Sequence, residues 1–150
     1  MILHRTYMPG AAAILEQLLY EPLFWEQGRQ ATGYLKANLK QDLPCVKFVA
    51  DKLSEVIGNE IESFDSYLLH YPEGTYIPSH TDDIVFGRKH VRANATLRQP
   101  LTGGCLHIGT PGFPVHLSVG DIFIFEPNAM EHYVTMCDQD RYVLSVGTII

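Results

Sequence analysis

The chain has 150 residues, a common size for one domain, and 46% hydrophobic against 19% charged residues excludes a disordered or fibrous chain. The 17 acidic and 11 basic side chains leave a net charge of -6, which argues against general binding to nucleic-acid phosphates or an anionic membrane. Three scattered cysteines with no C-x-x-C pair argue against a disulfide framework or a zinc-thiolate site, and no apolar run approaches the ~20 residues of a membrane helix or forms a signal-peptide core.

Residues 1–62 read as helical support. The Ala- and Leu-rich stretch from Gly10 to Tyr20 predicts one helix, ending before Pro22. Val46, Val49, Leu53 and Val56 recur at spacings of three and four, with Pro44 near the start and Gly58 just past the end, which predicts a second. From about residue 63 the texture becomes β. Strands are expected near 63–71, 75–79, 91–99, 104–109, 114–118, 121–126, 131–136 and 141–149, punctuated by Gly and Pro. Such closely spaced strands predict one α+β domain over 1–150: a jelly-roll barrel core with the N-terminal helices packed on its outer face. The three thiols are read as reduced, which suits a cytoplasmic protein.

The run Tyr71 to Asp82, YPEGTYIPSHTD, holds His80 and Asp82 two residues apart. In a strand these side chains share a face, so both can reach one ion. His132 follows 50 residues after Asp82, in a strand expected to neighbour the first. Two histidines and one carboxylate leave positions open on a non-haem Fe(II) ion for dioxygen and a chelating cosubstrate. Alone, the His-x-Asp pair is equally well read as a surface histidine and a turn aspartate. Arg141, nine residues after His132, opens the apolar run Val143, Leu144, Val146. It suits the far carboxylate of a diacid through its planar fork of donors, or else it is a solvated strand-end charge.

With Arg141 in place, the residues resemble the 2-oxoglutarate- and Fe(II)-dependent oxygenases, most of all their prolyl-hydroxylase branch. The resemblance rests on Y-P-x-G…Y…H-x-D from Tyr71 to Asp82, Gly103-Gly104-Cys105-Leu106, Gly120 to Phe125, His132, and R-Y-x-x-x-V from Arg141 to Val146, in the family's order over roughly 65–150. It implies a double-stranded β-helix with Fe(II) held by His80, Asp82 and His132. It also implies Arg141 on the far carboxylate of 2-oxoglutarate, Tyr71 near that cosubstrate, dioxygen as co-reactant, and hydroxylation of an unactivated C–H bond. The substrate class it implies is a prolyl or other amino-acid residue, free or in a peptide or protein, with a small metabolite as the competing choice. A homodimer is left open.

The sequence departs from the family pattern at two places. Four residues separate Tyr76 from His80, where three are more usual, and RANATLRQP carries no tyrosine for the cosubstrate. In that strand Arg92, Asn94, Thr96 and Arg98 alternate with Ala93, Ala95 and Leu97. If the polar face lines the barrel mouth, Asn94 or Thr96 can bind the cosubstrate and Arg98 a substrate acid; in the opposite orientation they are surface residues. Tyr76 and Arg88 are further candidate substrate contacts. Residues 83–91 are read as a mobile lid or as a plain hairpin loop. Since the last strand is expected to reach Ile150, selectivity is expected from the 71–79 and 83–91 segments, the first thirty residues, or a second subunit. His70, His90, His107 and His116 are spare histidines, of which His107 and His116, in the strand region, are read as hydrogen-bonded or surface imidazoles. The alternative to an oxygenase is a cupin-type jelly-roll metal-binding protein or isomerase, but cupins usually carry H-x-H and leave Arg141 without a task.

Overall fold

The structure is a computed structural model and describes residues 1–29, 32–82 and 87–150. The elements run β1 (Leu3–Tyr7), α1 (Ala11–Leu19), β2 (Trp25–Gln27), β3 (Leu35–Asn38), α2 (Pro44–Ile57), β4 (Asp65–Tyr71), β5 (Ile77–His80), β6 (His90–Arg98), β7 (Leu106–Ile108), β8 (Phe113–Val115), β9 (Asp121–Phe125), β10 (His132–Val134) and β11 (Arg141–Ile149).

All strand pairings are antiparallel and form two sheets. The larger has the order β1-β9-β6-β11-β4-β3-β2, and the smaller β5-β10-β7-β8. β11 lies in the middle of the larger sheet, and eight of its nine residues are buried. Its even positions, Tyr142, Leu144 and Val146, belong to one apolar cluster, while Val143 belongs to another. The strand alternation of period two thus divides the core into two layers.

The first layer joins those residues to Ala93, Ala95 and Leu97 of β6, Ile122 and Ile124 of β9, and the buried stripes of both helices. In α1 that stripe is Ala11, Leu15 and Leu18; in α2 it is Val46, Val49, Ala50 and Leu53. Spacings of three and four put each set on one side of its helix. Pro44 sits at the first turn of α2, where its missing N–H has no intrahelical partner to lose. Burying each such Leu, Ile or Val contributes ~1.5–3 kcal/mol. The second layer lies between the sheets and includes Tyr34, Tyr71, Leu106, Phe123, Phe125, Val134 and Val143.

The first 62 residues contain three strands as well as two helices. β1 and β2 sit on the two edges of the larger sheet, with β3 just inside β2. They are three to five residues long, and β1 and β2 are mostly exposed, so they carry little alternation for a sequence pattern to register. Among the described residues no helix is long and apolar enough to cross a membrane.

Candidate metal and cosubstrate site

His80 closes β5 and His132 opens β10, and the two are direct register partners. Asp82 lies two residues beyond the end of β5, where its N–H donates to the Pro127 carbonyl at 2.9 Å. That bond turns the chain so that the carboxylate meets both imidazoles. This corrects the expectation of a continuous strand through Asp82, since a loop anchor does the work of strand alternation.

Oδ1 of Asp82 stands 3.4 Å from Nε2 of His80 and 3.7 Å from Nε2 of His132. One ligand atom from each of the three residues lies within 4.8 Å of the others. Nδ1 of His80 is 2.8 Å from the Pro78 carbonyl, and Nδ1 of His132 is 2.8 Å from that of Met130. A carbonyl only accepts, so both Nδ1 atoms carry the proton and both Nε2 lone pairs face the carboxylate. Fixing the tautomer through the outer nitrogen is how metal-binding imidazoles are oriented. The donor set therefore fits Fe(II).

The electrostatics agree. Burial pushes the Asp82 carboxyl up, but the His80 hydrogen bond and the charges of His132, His90 and Arg92 outweigh it, so the group sits below its usual range. Burial holds His132 below the ordinary imidazole value. The hydrogen bond to Asp82 raises His80 against the opposing effect of burial. Protonation of His80 beside Asp82, which the shift favours, would compete with a dication.

Sequence reasoning missed His90. Its Nδ1 is 3.7 Å from Oδ2 of Asp82, the oxygen turned away from the other two histidines. Burial, with Arg92's charge, lowers its pKa. The signal for it was its place at the start of a strand whose polar face turns inward.

Arg141 starts β11 directly opposite Tyr71. Its guanidinium carbon lies 4.7 Å from the Tyr71 ring centroid, and its Nε donates to Oε1 of Gln99 at 3.2 Å. It is 4% exposed, yet among the described residues no carboxylate comes within 4 Å. A buried guanidinium without a counter-ion is costly, so the place is suited to an anion. Burial raises the Tyr71 phenol despite Arg141's charge, which keeps its hydroxyl a donor. The Tyr71 ring stacks on Tyr34 at 5.3 Å. The Tyr34 ring in turn covers Gly28 so closely that a Cβ there would stand 1.9 Å from a ring carbon.

The three clustered residues, Tyr71, Asn94 and Arg141 all line one cavity of about 280 Å³ between the sheets. Asn94 is ordered by a chain of bonds. Arg92 donates to Oγ of Ser145 at 2.7 Å, and that hydroxyl donates to Oδ1 of Asn94 at 2.6 Å. Because arginine only donates, the serine proton must go to asparagine's oxygen, which leaves the Asn94 amide N–H groups for a ligand.

No protein-family model matches the sequence, and no curated protein matches it either. Solved structures do. A Pseudomonas putida prolyl-4-hydroxylase is 18% identical with a TM-score of 0.79, over 97% of this chain and 90% of that one. A viral collagen prolyl hydroxylase from Paramecium Bursaria Chlorella virus-1, a 2OG complex, gives 0.75 at 12% identity over 99% and 96%. A Trichoplax adhaerens prolyl hydroxylase, in complex with a hypoxia inducible factor oxygen degradation domain peptide fragment, gives 0.73 at 13% over 97% and 82%. This is the 2-oxoglutarate–Fe(II) oxygenase fold.

The other expected residues of an oxygenase-fold site fall elsewhere. Thr96 is 1% exposed, pairs with Val143, and its hydroxyl finds no partner; it is not among the residues lining the cavity. Arg98 lies on the other face of the sheet, exposed, with its guanidinium 5.2 Å from the Tyr142 ring. A bulge between Tyr142 and Val143 makes Arg98 pair with Tyr142 while Thr96 pairs with Val143. The extra residue flips the alternation, so Arg98 cannot meet a substrate held in the cavity. Tyr76 is exposed and borders a separate open groove with Ser79, Tyr133 and Met136. Arg88 is exposed and donates to the Ile149 carbonyl at 3.2 Å. Residues 83–86 of the expected lid lie outside the described residues, and at the far end of that segment Lys89 exchanges both backbone hydrogen bonds with Ile150.

Proposed function

We propose that the protein is an Fe(II)- and 2-oxoglutarate-dependent oxygenase that hydroxylates a C–H bond of a prolyl or other amino-acid residue, or of a small metabolite. The observation that carries this is the sharing of one cavity by the His80–Asp82–His132 donor set and a buried Arg141 that has no carboxylate partner among the described residues. Iron with bound 2-oxoglutarate would supply the oxidising power there, consuming dioxygen and releasing succinate and carbon dioxide.

The protein's own part is to bind, orient and exclude water. His80, Asp82 and His132 would hold the ion. Arg141 would receive the far carboxylate of 2-oxoglutarate, with the Tyr71 hydroxyl as a donor beside it. The Asn94 amide is placed to donate to the same cosubstrate. Phe125, edge-on to the His132 ring at 5.3 Å, helps keep that ring dry and fixed. No side chain is required as a general acid or base, so catalytic power comes from holding the reacting groups in line. We take the domain as 1–150, with the two helices bracing the outer face of the larger sheet. The free thiols Cys45, Cys105 and Cys137 are in keeping with a reducing, cytoplasmic setting. A peptide occupies one of the similar structures, which supports an amino-acid or peptide substrate. A cupin-type role is disfavoured because it gives the buried Arg141 nothing to hold.

The test is succinate formation under air from Fe(II) and 2-oxoglutarate, with no substrate added. Slow release that disappears in His132→Ala supports an oxygenase; none at any iron concentration points to a binding module.

A further inference from the structure

The cavity has a second fixed guanidinium. Arg92 donates to Oδ1 of Asp65 at 2.6 Å and to Oγ of Ser145 at 2.7 Å. It lies against the backbone of Gly147 so closely that a Cβ there would stand 2.3 Å from Nη2. Its carbon is 5.8 Å from the Tyr67 ring, and Lys36 Nζ is 4.9 Å from the same ring. Tyr67 and Tyr71 are four residues apart on one strand face, about 13 Å at ~3.3 Å per residue, so Arg92 and Arg141 grip different parts of whatever fills the cavity.

The charge at this end runs against that of the chain. Arg29, Lys36 and Arg92 line it, with Asp65 as the carboxylate among them apart from Asp82. The chain as a whole carries -6. Arg29, Lys36 and Arg92 line the same cavity as His80, Asp82 and His132, which puts this end beside the metal donors. The Lys36 partner, Glu26, is loose at 3.8 Å and 59% exposed. Of the five N–H donors on Arg92, two go to Asp65 and Ser145, and the planar fork is immobilised before any ligand arrives.

We propose that the substrate is carboxylate-bearing, its carboxylate docking on Arg92 and Lys36 so that the carbon to be oxidised lies toward His80, Asp82 and His132. This rests on the oxygenase reading of the cavity. Arg92 and Lys36 against Asp65 leave one positive charge, which a single carboxylate balances. Asp65, 43% exposed, is placed to accept the ammonium of a free amino acid. The chemistry is shared by a free amino acid and by an acylated or peptidic acid.

The test follows arginine Nε–H resonances in zinc-loaded protein saturated with 2-oxoglutarate, assigned by their loss in Arg92→Met and Arg141→Met. The Arg141 signal should move on adding 2-oxoglutarate; if it stays still, the oxygenase reading fails independently of this proposal. The Arg92 signal should then shift saturably with acetate and not with acetamide. Lys36→Met should raise the acetate Kd about threefold, the effect of one partly exposed charge. Glycine binding tighter than N-acetylglycine assigns a free amino acid, and the reverse order assigns an acylated acid. No saturable shift, equal response to acetamide, or tighter binding of inorganic phosphate than of acetate overturns the proposal. Should Arg92→Met fail to fold with Asp65 left unpaired, the double change Arg92→Met and Asp65→Asn serves for assignment.

Discussion

His80 and His132 face each other across the β5–β10 pairing with ring centroids 4.3 Å apart, and each is pinned through Nδ1 to the carbonyl two residues before it. The same local device acts twice, so both Nε2 atoms reach the Asp82 carboxylate without help from distant groups. The geometry of the donor set is thus fixed by local backbone contacts.

Metal affinity should fall as pH is lowered. The His80 pKa is raised above its ordinary value by Asp82, so its proton begins to compete with the metal at a pH where His132, lowered by burial, is still neutral. Binding should release protons, measurable by calorimetry in buffers of different ionisation enthalpy. For the His80 contribution in the metal-free protein the sign reverses. A raised folded-state pKa stabilises fully below the unfolded value, and that part is lost as pH rises through the folded one. Burial lowers His70, His90 and His132, whose contributions grow as pH rises, so the His80 part is read as the difference in metal-free Tm between the parent and His80→Gln, which should shrink through this window.

His90→Ala removes the group facing Oδ2 of Asp82. Metal affinity should drop about 10-fold, as for outer partners of metal ligands elsewhere, with the fold unchanged by circular dichroism. An unchanged metal Kd would show that the 3.7 Å approach does nothing to orient Asp82.

Arg141→Ala should cost ~2–5 kcal/mol of 2-oxoglutarate binding, read as a rise in Kd by calorimetry on the zinc-loaded protein. Arg141→Lys should recover only part, because a point charge cannot reproduce the bidentate fork. Zinc affinity itself should not change.

Gly147→Ala should destabilise by ~1–3 kcal/mol, since the new methyl and the Arg92 guanidinium cannot share the site. Leu144→Ala, on the other face of β11 and fully buried, should cost ~2–5 kcal/mol through the cavity it leaves. Denaturant unfolding measures both losses, and the Arg92 Nε–H resonance separates the two, because only Gly147→Ala should disturb it.

The helices were legible because their apolar spacings and the Pro44 and Gly58 boundaries are local signals. The strands from residue 63 onward were legible for the same reason. His80, Asp82, His132 and Arg141 could be singled out because their residue types have few joint uses, and the fold brings them into one cavity. Elsewhere local pattern misled. Arg98 kept the alternation of Arg92 and Asn94 in sequence, yet the bulge opposite Tyr142 turned it outward. β1, β2 and β3 exist through pairing with distant strands rather than through their own pattern. His90, Gln99 and Ser145 reach the site through register with other strands, which one sequence does not display.

The most direct measurement is the visible spectrum of the protein under anaerobic conditions as Fe(II) and then 2-oxoglutarate are added. A weak metal-to-ligand charge-transfer band should grow with 2-oxoglutarate, vanish in Asp82→Ala and His132→Ala, and require far more cosubstrate in Arg141→Ala. A spectrum that ignores 2-oxoglutarate while iron binds, or a band that all three variants retain, would contradict the account.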